Sequence, residues 1–114
     1  SGIDILPIDG DGAAKLKAAS PFFADDSIPA ETYKGIGAVK TVAVGAHLVT
    51  SAKQPEDVIY RVTKGLWSDK TRAVLDAGHA KGKVIRKETA LAGIGGVPLH
   101  PGAAKFYKEA GLLK

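Results

Sequence analysis

The stretch from Val39 to Ser51, Val-Lys-Thr-Val-Ala-Val-Gly-Ala-His-Leu-Val-Thr-Ser, is the longest β-prone run of the chain. Val42, Val44 and Ala46 alternate with Thr41, Ala43 and Gly45, so both faces of an extended segment are apolar or small. A strand of that kind belongs inside a sheet covered on both sides. It is also longer than one sheet needs, since at ~3.3 Å per residue the run extends about 40 Å. Gly45 offers a place to bend, and a long strand with a central Gly can serve two layers or cross from one lobe to another. The expected fold class is α/β, organised around this strand.

Upstream, Ile3 to Ile8 reads as a short strand ended by Pro7 and by a turn at Asp9–Gly12. Ala13 to Ser20 reads as a short helix stopped by Pro21. From Phe22 to Gly37 the pattern is irregular, and long aperiodic segments of this kind are usually functional or docked on the rest of the fold. Downstream, Pro55 suits a first helical position, and Glu56 and Asp57 complement the positive end of the helix dipole. Val58, Ile59, Val62, Leu66 and Trp67 form the expected buried stripe of that helix. Ser68 or Asp69 caps a second helix, Lys70 to Ala77, with Ala73, Val74 and Ala77 as its apolar face and Gly78 as its stop. His79 to Lys87 is basic and mostly loop, and Ala90 to Val97 is small and Gly-rich. A last helix is predicted over Ala103–Ala110, burying Ala103, Phe106, Tyr107 and Ala110 and ending at Gly111.

A length of 114 residues is one domain's worth of chain, with room for a modest core. Without Cys, disulfides and thiolate metal sites are excluded. The formal charge of +4 comes from cations scattered among anions, which favours a solvated surface over nucleic-acid binding. No apolar run approaches the ~20 residues that span a membrane. The N-terminus is not a signal peptide and carries no Met, and the expectation is a fragment of a longer protein.

Candidate chemistry is sparse. Asp9-Gly-Asp11-Gly12 begins like a calcium loop, but Ala13 and Ser20 stand where ligands are needed, so a plain turn is expected. Gly93-Ile-Gly95-Gly96 lacks the spacing and the Lys-Ser/Thr of a phosphate loop. His47, His79 and His100 show no metal-ligand spacing, and His100, between Pro98 and Pro101, suits a cap or a loop hydrogen bond. There is no GxSxG elbow and no paired carboxylate, so nothing argues for catalysis. Tyr33, an aromatic with a polar tip upstream of the central strand, is placed either to line a pocket or to staple its loop to the core.

Six stretches carry a family resemblance. They are Ile-Asp-Ile-Leu-Pro-Ile at 3–8, Ile28-Pro-Ala-Glu-Thr-Tyr-Lys-Gly35, Thr41-Val-Ala-Val-Gly-Ala-His-Leu-Val-Thr50, Pro55-Glu-Asp-Val-Ile-Tyr-Arg-Val-Thr-Lys64, Pro98-Leu-His-Pro-Gly-Ala103 and Phe106-Tyr-Lys-Glu-Ala-Gly111. In order and spacing they resemble the C-terminal third of TAXI-type solute-binding proteins of TRAP transporters, a family that includes bacterial proteins labelled as immunogenic antigens. The resemblance implies part of a type II periplasmic binding protein-like fold, with ligand held between two lobes. By that analogy residues 1–37 end the second lobe, 38–51 form the hinge-crossing strand, and 52–114 return as helices to the first lobe. It further implies a periplasmic receptor that presents a small organic anion, a carboxylate or amino acid, to the membrane subunits of the transporter. Such receptors use no cofactor and do no chemistry.

Within that frame Thr32, Tyr33 and Thr41 are the expected ligand contacts, their hydroxyls meeting a carboxylate, with Lys34 and Lys40 adding positive potential at the cleft mouth. Two alternatives come from other classes. A small basic nucleic-acid module is disfavoured because Phe22 and Phe23 stand next to acids. An enzyme domain would need titratable groups that converge in space. A part of a two-lobed protein also exposes apolar surface, so a homodimer of the fragment is expected. Light scattering over a wide concentration range checks this, with a strictly monomeric mass as the contrary outcome.

Overall fold

A computed structural model describes residues 2–114. It consists of α1 (Gly10–Ala19), β1 (Phe23–Ile28), β2 (Val39–Val44), α2 (Glu56–Leu66), α3 (Asp69–Gly78), 3-10 turns at Ala80–Val84 and Lys87–Thr89, and α4 (Pro101–Glu109). The residues form two compact units. One contains the chain up to His47 together with Ala92–Val97, and the other contains Leu48–Leu91 and Pro98–Lys114.

In the first unit β1 and β2 pair antiparallel, from Phe23 opposite Val44 to Ile28 opposite Val39. This corrects the expected long hinge-crossing strand, because β2 has six residues and stops at Val44. A strand persists only where its backbone groups find a partner, and the ladder runs out at Phe23. Beyond it Gly45–Thr50 takes no regular structure, with Leu48 79% and Val49 72% exposed. The partner strand lies inside the segment expected to be irregular. Phe-Ala-Asp-Asp-Ser-Ile has consecutive acids and little β propensity, so only its pairing with β2 makes it a strand. The strand expected over Ile3–Ile8 is absent, leaving one bond from Ile8 N–H to the Lys40 carbonyl at 3.1 Å.

The turn expected at Asp9–Gly12 is instead the start of α1, with Asp9 in extended conformation as its N-cap. Ala13 is the buried residue of that helix. The Gly-rich stretch also belongs to this unit: a Cβ on Gly93 would lie 2.8 Å from the Phe22 carbonyl oxygen. Gly93 is thus required by close backbone approach, and its φ of +65° favours glycine as well.

The second unit is built on α2 against α4. Pro55 stands at the N-cap, one position before the expected place, with Glu56 and Asp57 in the first turn. The inward residue is Thr63, whose hydroxyl donates to the Ile59 carbonyl at 2.8 Å, while Val62 is 50% exposed and leaves the expected stripe. Opposite it Tyr107 is buried, its hydroxyl accepting from Trp67 Nε1 at 3.0 Å. Ser68 caps α3 as expected, accepting from the Thr71 N–H at 3.3 Å. The inward face of α3 is not Ala73, Val74 and Ala77, which are exposed, but Thr71, Arg72, Leu75 and Asp76. Arg72 turns inward because its guanidinium donates to the Gly82 and Ile85 carbonyls, each at 2.5 Å. His100 caps α4 through Nδ1, accepting from Gly102 N–H at 3.2 Å, and Nε2 meets the Gln54 carbonyl at 3.0 Å. With Nδ1 accepting, Nε2 is the protonated nitrogen.

Gly102 sets the distance between α4 and α2. A Cβ there would run into the Glu56 carbonyl oxygen and lie 2.6 Å from the Tyr60 nitrogen, both backbone atoms that cannot rotate away. Gly65 in α2 has open space where a Cβ would go. Gly102→Ala is expected to lower the unfolding free energy by ~1–3 kcal/mol through overpacking. Gly65→Ala should leave it unchanged or raise it by up to ~1 kcal/mol through helix propensity. Urea titration followed by circular dichroism measures both.

Candidate functional site

In the first unit the start of α1 and the two strands surround an open concavity of about 720 Å³. Asp9 and Gly10 come from the helix end, Asp25, Asp26 and Ser27 from β1, and Lys40 and Thr41 from β2. The strand register sets Thr41 opposite Asp26 and Lys40 opposite Ser27. The Lys17 ammonium binds the Asp25 carboxylate at 2.6 Å, so that acid is already neutralised. The Asp9 side chain makes no cap hydrogen bond, which leaves first-turn N–H groups of α1 for solvent or a ligand. Successive strand residues face opposite ways, so Lys40 and Ser27 share the face of Asp25, which α1 meets through Lys17, and Thr41 and Asp26 share the other.

Of the sequence-predicted contacts, Thr41 lines this concavity, as does Lys40. Thr32, Tyr33 and Lys34 stand on the β1–β2 connection, outside its lining. Thr32 Oγ1 donates to the Pro29 carbonyl at 2.7 Å, and the Tyr33 carbonyl accepts from Ile36 N–H at 3.0 Å. Those bonds fold the connection on itself and leave the Tyr33 side chain 48% exposed. Sequence reasoning missed Asp25 and Asp26 because the strand that carries them has no strand-like pattern. The pairing with β2 was the signal, and it is not local.

In the second unit a smaller cleft of about 170 Å³ lies between the α2–α3 corner and the segment around Arg86. Arg72 borders it, but its terminal nitrogens are taken by Gly82, Ile85 and the Asp76 carboxylate, the last at 2.7 Å. Its role is to hold the turn against α3. On the α2–α4 face the Tyr60 hydroxyl donates to Glu109 Oε2 at 2.6 Å, and the ring meets Phe106 edge-on at 6.3 Å. Lys105 and Lys64 lie 5.3 and 5.9 Å from the ring centre. Among the described residues no group of three or more His, Asp or Glu side chains could hold a metal ion.

Comparison with protein families matches the NMT1-like family over residues 1–111. The chain belongs to the NMT1-like family. That family is related to periplasmic solute-binding proteins, so membership points to a periplasmic solute-binding role in general terms. The mixture of helices with a two-stranded sheet is consistent with the α/β class.

The bond to Glu109 raises the Tyr60 phenol above its ordinary value, with burial and the carboxylate charge adding to it. Its folded value is raised, so the stabilisation is complete below the unfolded value and is lost as pH rises through the folded one. Alkaline titration of tyrosinate absorbance should show one tyrosine ionising late. Glu109→Gln, which removes the charge, should bring it back toward the ordinary value.

Proposed function

We propose that this NMT1-like chain is the C-terminal part of a TAXI-type extracytoplasmic receptor that captures a small organic anion for a TRAP-type transporter. The family match over residues 1–111 is the observation that carries the reading. The motif order from Ile3 to Gly111 supplies the finer assignment to the TAXI group. In this reading the parent fold is of type II periplasmic binding kind, the receptor works in the bacterial periplasm, and its partners are the membrane subunits of the transporter. It binds and releases its solute without chemistry or cofactor.

The groups around Thr41 favour a zwitterion among the candidate anions. Lys40 and the first-turn N–H groups of α1 suit a carboxylate, while Asp9 suits an ammonium. An amino acid satisfies both signs, whereas a plain dicarboxylate meets an uncompensated acid. Thr41 contributes from β2, whereas Thr32 and Tyr33 stand on the β1–β2 connection outside the concavity, and only the family resemblance makes them ligand contacts.

A thermal-shift screen against amino acids and small carboxylates tests this, with circular dichroism as the fold control. A ligand selective for the folded state stabilises it by ~2.7 kcal/mol at a hundredfold excess over Kd. Amino acids are expected to raise the midpoint more than carboxylates lacking an amine, and Thr41→Ala should reduce the shift. A folded chain that none of these compounds stabilises overturns the placing of the ligand site in the concavity at Thr41.

A further inference from the structure

The turn after α3 holds four of the sixteen Lys and Arg residues, namely Lys81, Lys83, Arg86 and Lys87, within seven positions. From Gly78 to Lys87 there is no acid. Lys81, Lys83 and Arg86 are exposed, and among the described residues none of the four makes an ion pair. Between them Val84 is 64% and Ile85 44% exposed. Two adjacent β-branched apolar residues thus stand exposed among unpaired cations. Arg72, by contrast, is spent inward, and its bonds to the Gly82 and Ile85 carbonyls fix the backbone that displays the others.

We propose that the Lys81–Lys87 turn docks the protein on an anionic phospholipid surface. The cations meet headgroup phosphates, and Val84 and Ile85 enter the boundary between headgroups and acyl chains. A 3-10 segment rises ~2 Å per residue. Five residues therefore span about 10 Å, comparable with the Debye length, and the cations act on a charged surface together. Polybasic clusters of this size bind anionic leaflets, and exposed apolar side chains strengthen them. Two apolar residues are far short of the ~800 Å² per partner of a stable protein interface. The turn has no aromatic on which bases would stack, which disfavours nucleic acid. Among the described residues no helix is long and apolar enough to cross a membrane, so the contact is with the surface. This goes beyond the solute-binding reading and needs no solute.

The test is co-sedimentation of the chain with phosphatidylcholine vesicles, with and without phosphatidylglycerol, at low and high salt. Binding is expected only with phosphatidylglycerol and should fall steeply with salt. The double variant K81E/K83E should weaken it by more than about tenfold. V84S/I85S, which keeps every charge, should weaken it several-fold. Two separate variants on exposed positions guard against one that fails to fold, and the salt series needs no variant. Equal binding to neutral vesicles, no binding to phosphatidylglycerol at low salt, or indifference to K81E/K83E would overturn the proposal. So would equally tight binding of polyglutamate or an oligonucleotide, which would make the turn a general polyanion contact.

Discussion

The contact at Gly102 is the constraint on which the second unit depends. With hydrogen as the side chain, the first turn of α4 lies directly on the backbone of α2 at Glu56 and Tyr60. That proximity brings Phe106 and Tyr107 onto the same side as Tyr60 and Trp67. It also brings His100 within reach of the Gln54 carbonyl just ahead of α2. One imidazole therefore caps α4 with one nitrogen and ties down the approach to α2 with the other. Aromatic packing and capping follow from a single close approach of two backbones.

What was legible in the sequence is what local chemistry decides. Ser68, His100 and the acids at Glu56 and Asp57 mark helix starts by satisfying or complementing the end of the helix, and each stands at or beside its expected position. Distant partners decide the rest. The length of β2 is fixed by where β1 ends, and β1 is a strand only because β2 lies beside it. The inward face of α3 follows Arg72, since the Gly82 and Ile85 carbonyls need a donor more than Val74 needs burial. The inward place of α2 goes to Thr63, which satisfies its own hydroxyl within the helix.

The same division runs through the site. Thr41 and Lys40 were recognisable because they lie on the one strand with a clear pattern. Asp25 and Asp26 were not, although they line the same concavity. With them the lining carries three acids, Asp9, Asp25 and Asp26, of which Asp25 is paired with Lys17. Family membership was reachable because it rests on motif order rather than on the ends of any element.

Among the described hydrophobic residues only Ala13 and Tyr107 are buried, and neither is closed off completely. Heat capacity and denaturant sensitivity of unfolding both scale with newly exposed area. Taken alone, the chain therefore has a flat stability curve and a broad, shallow transition. Whatever covers Leu6, Leu48 and Val49 would sharpen that transition as much as raise it, so the cooperativity of melting reports directly on assembly.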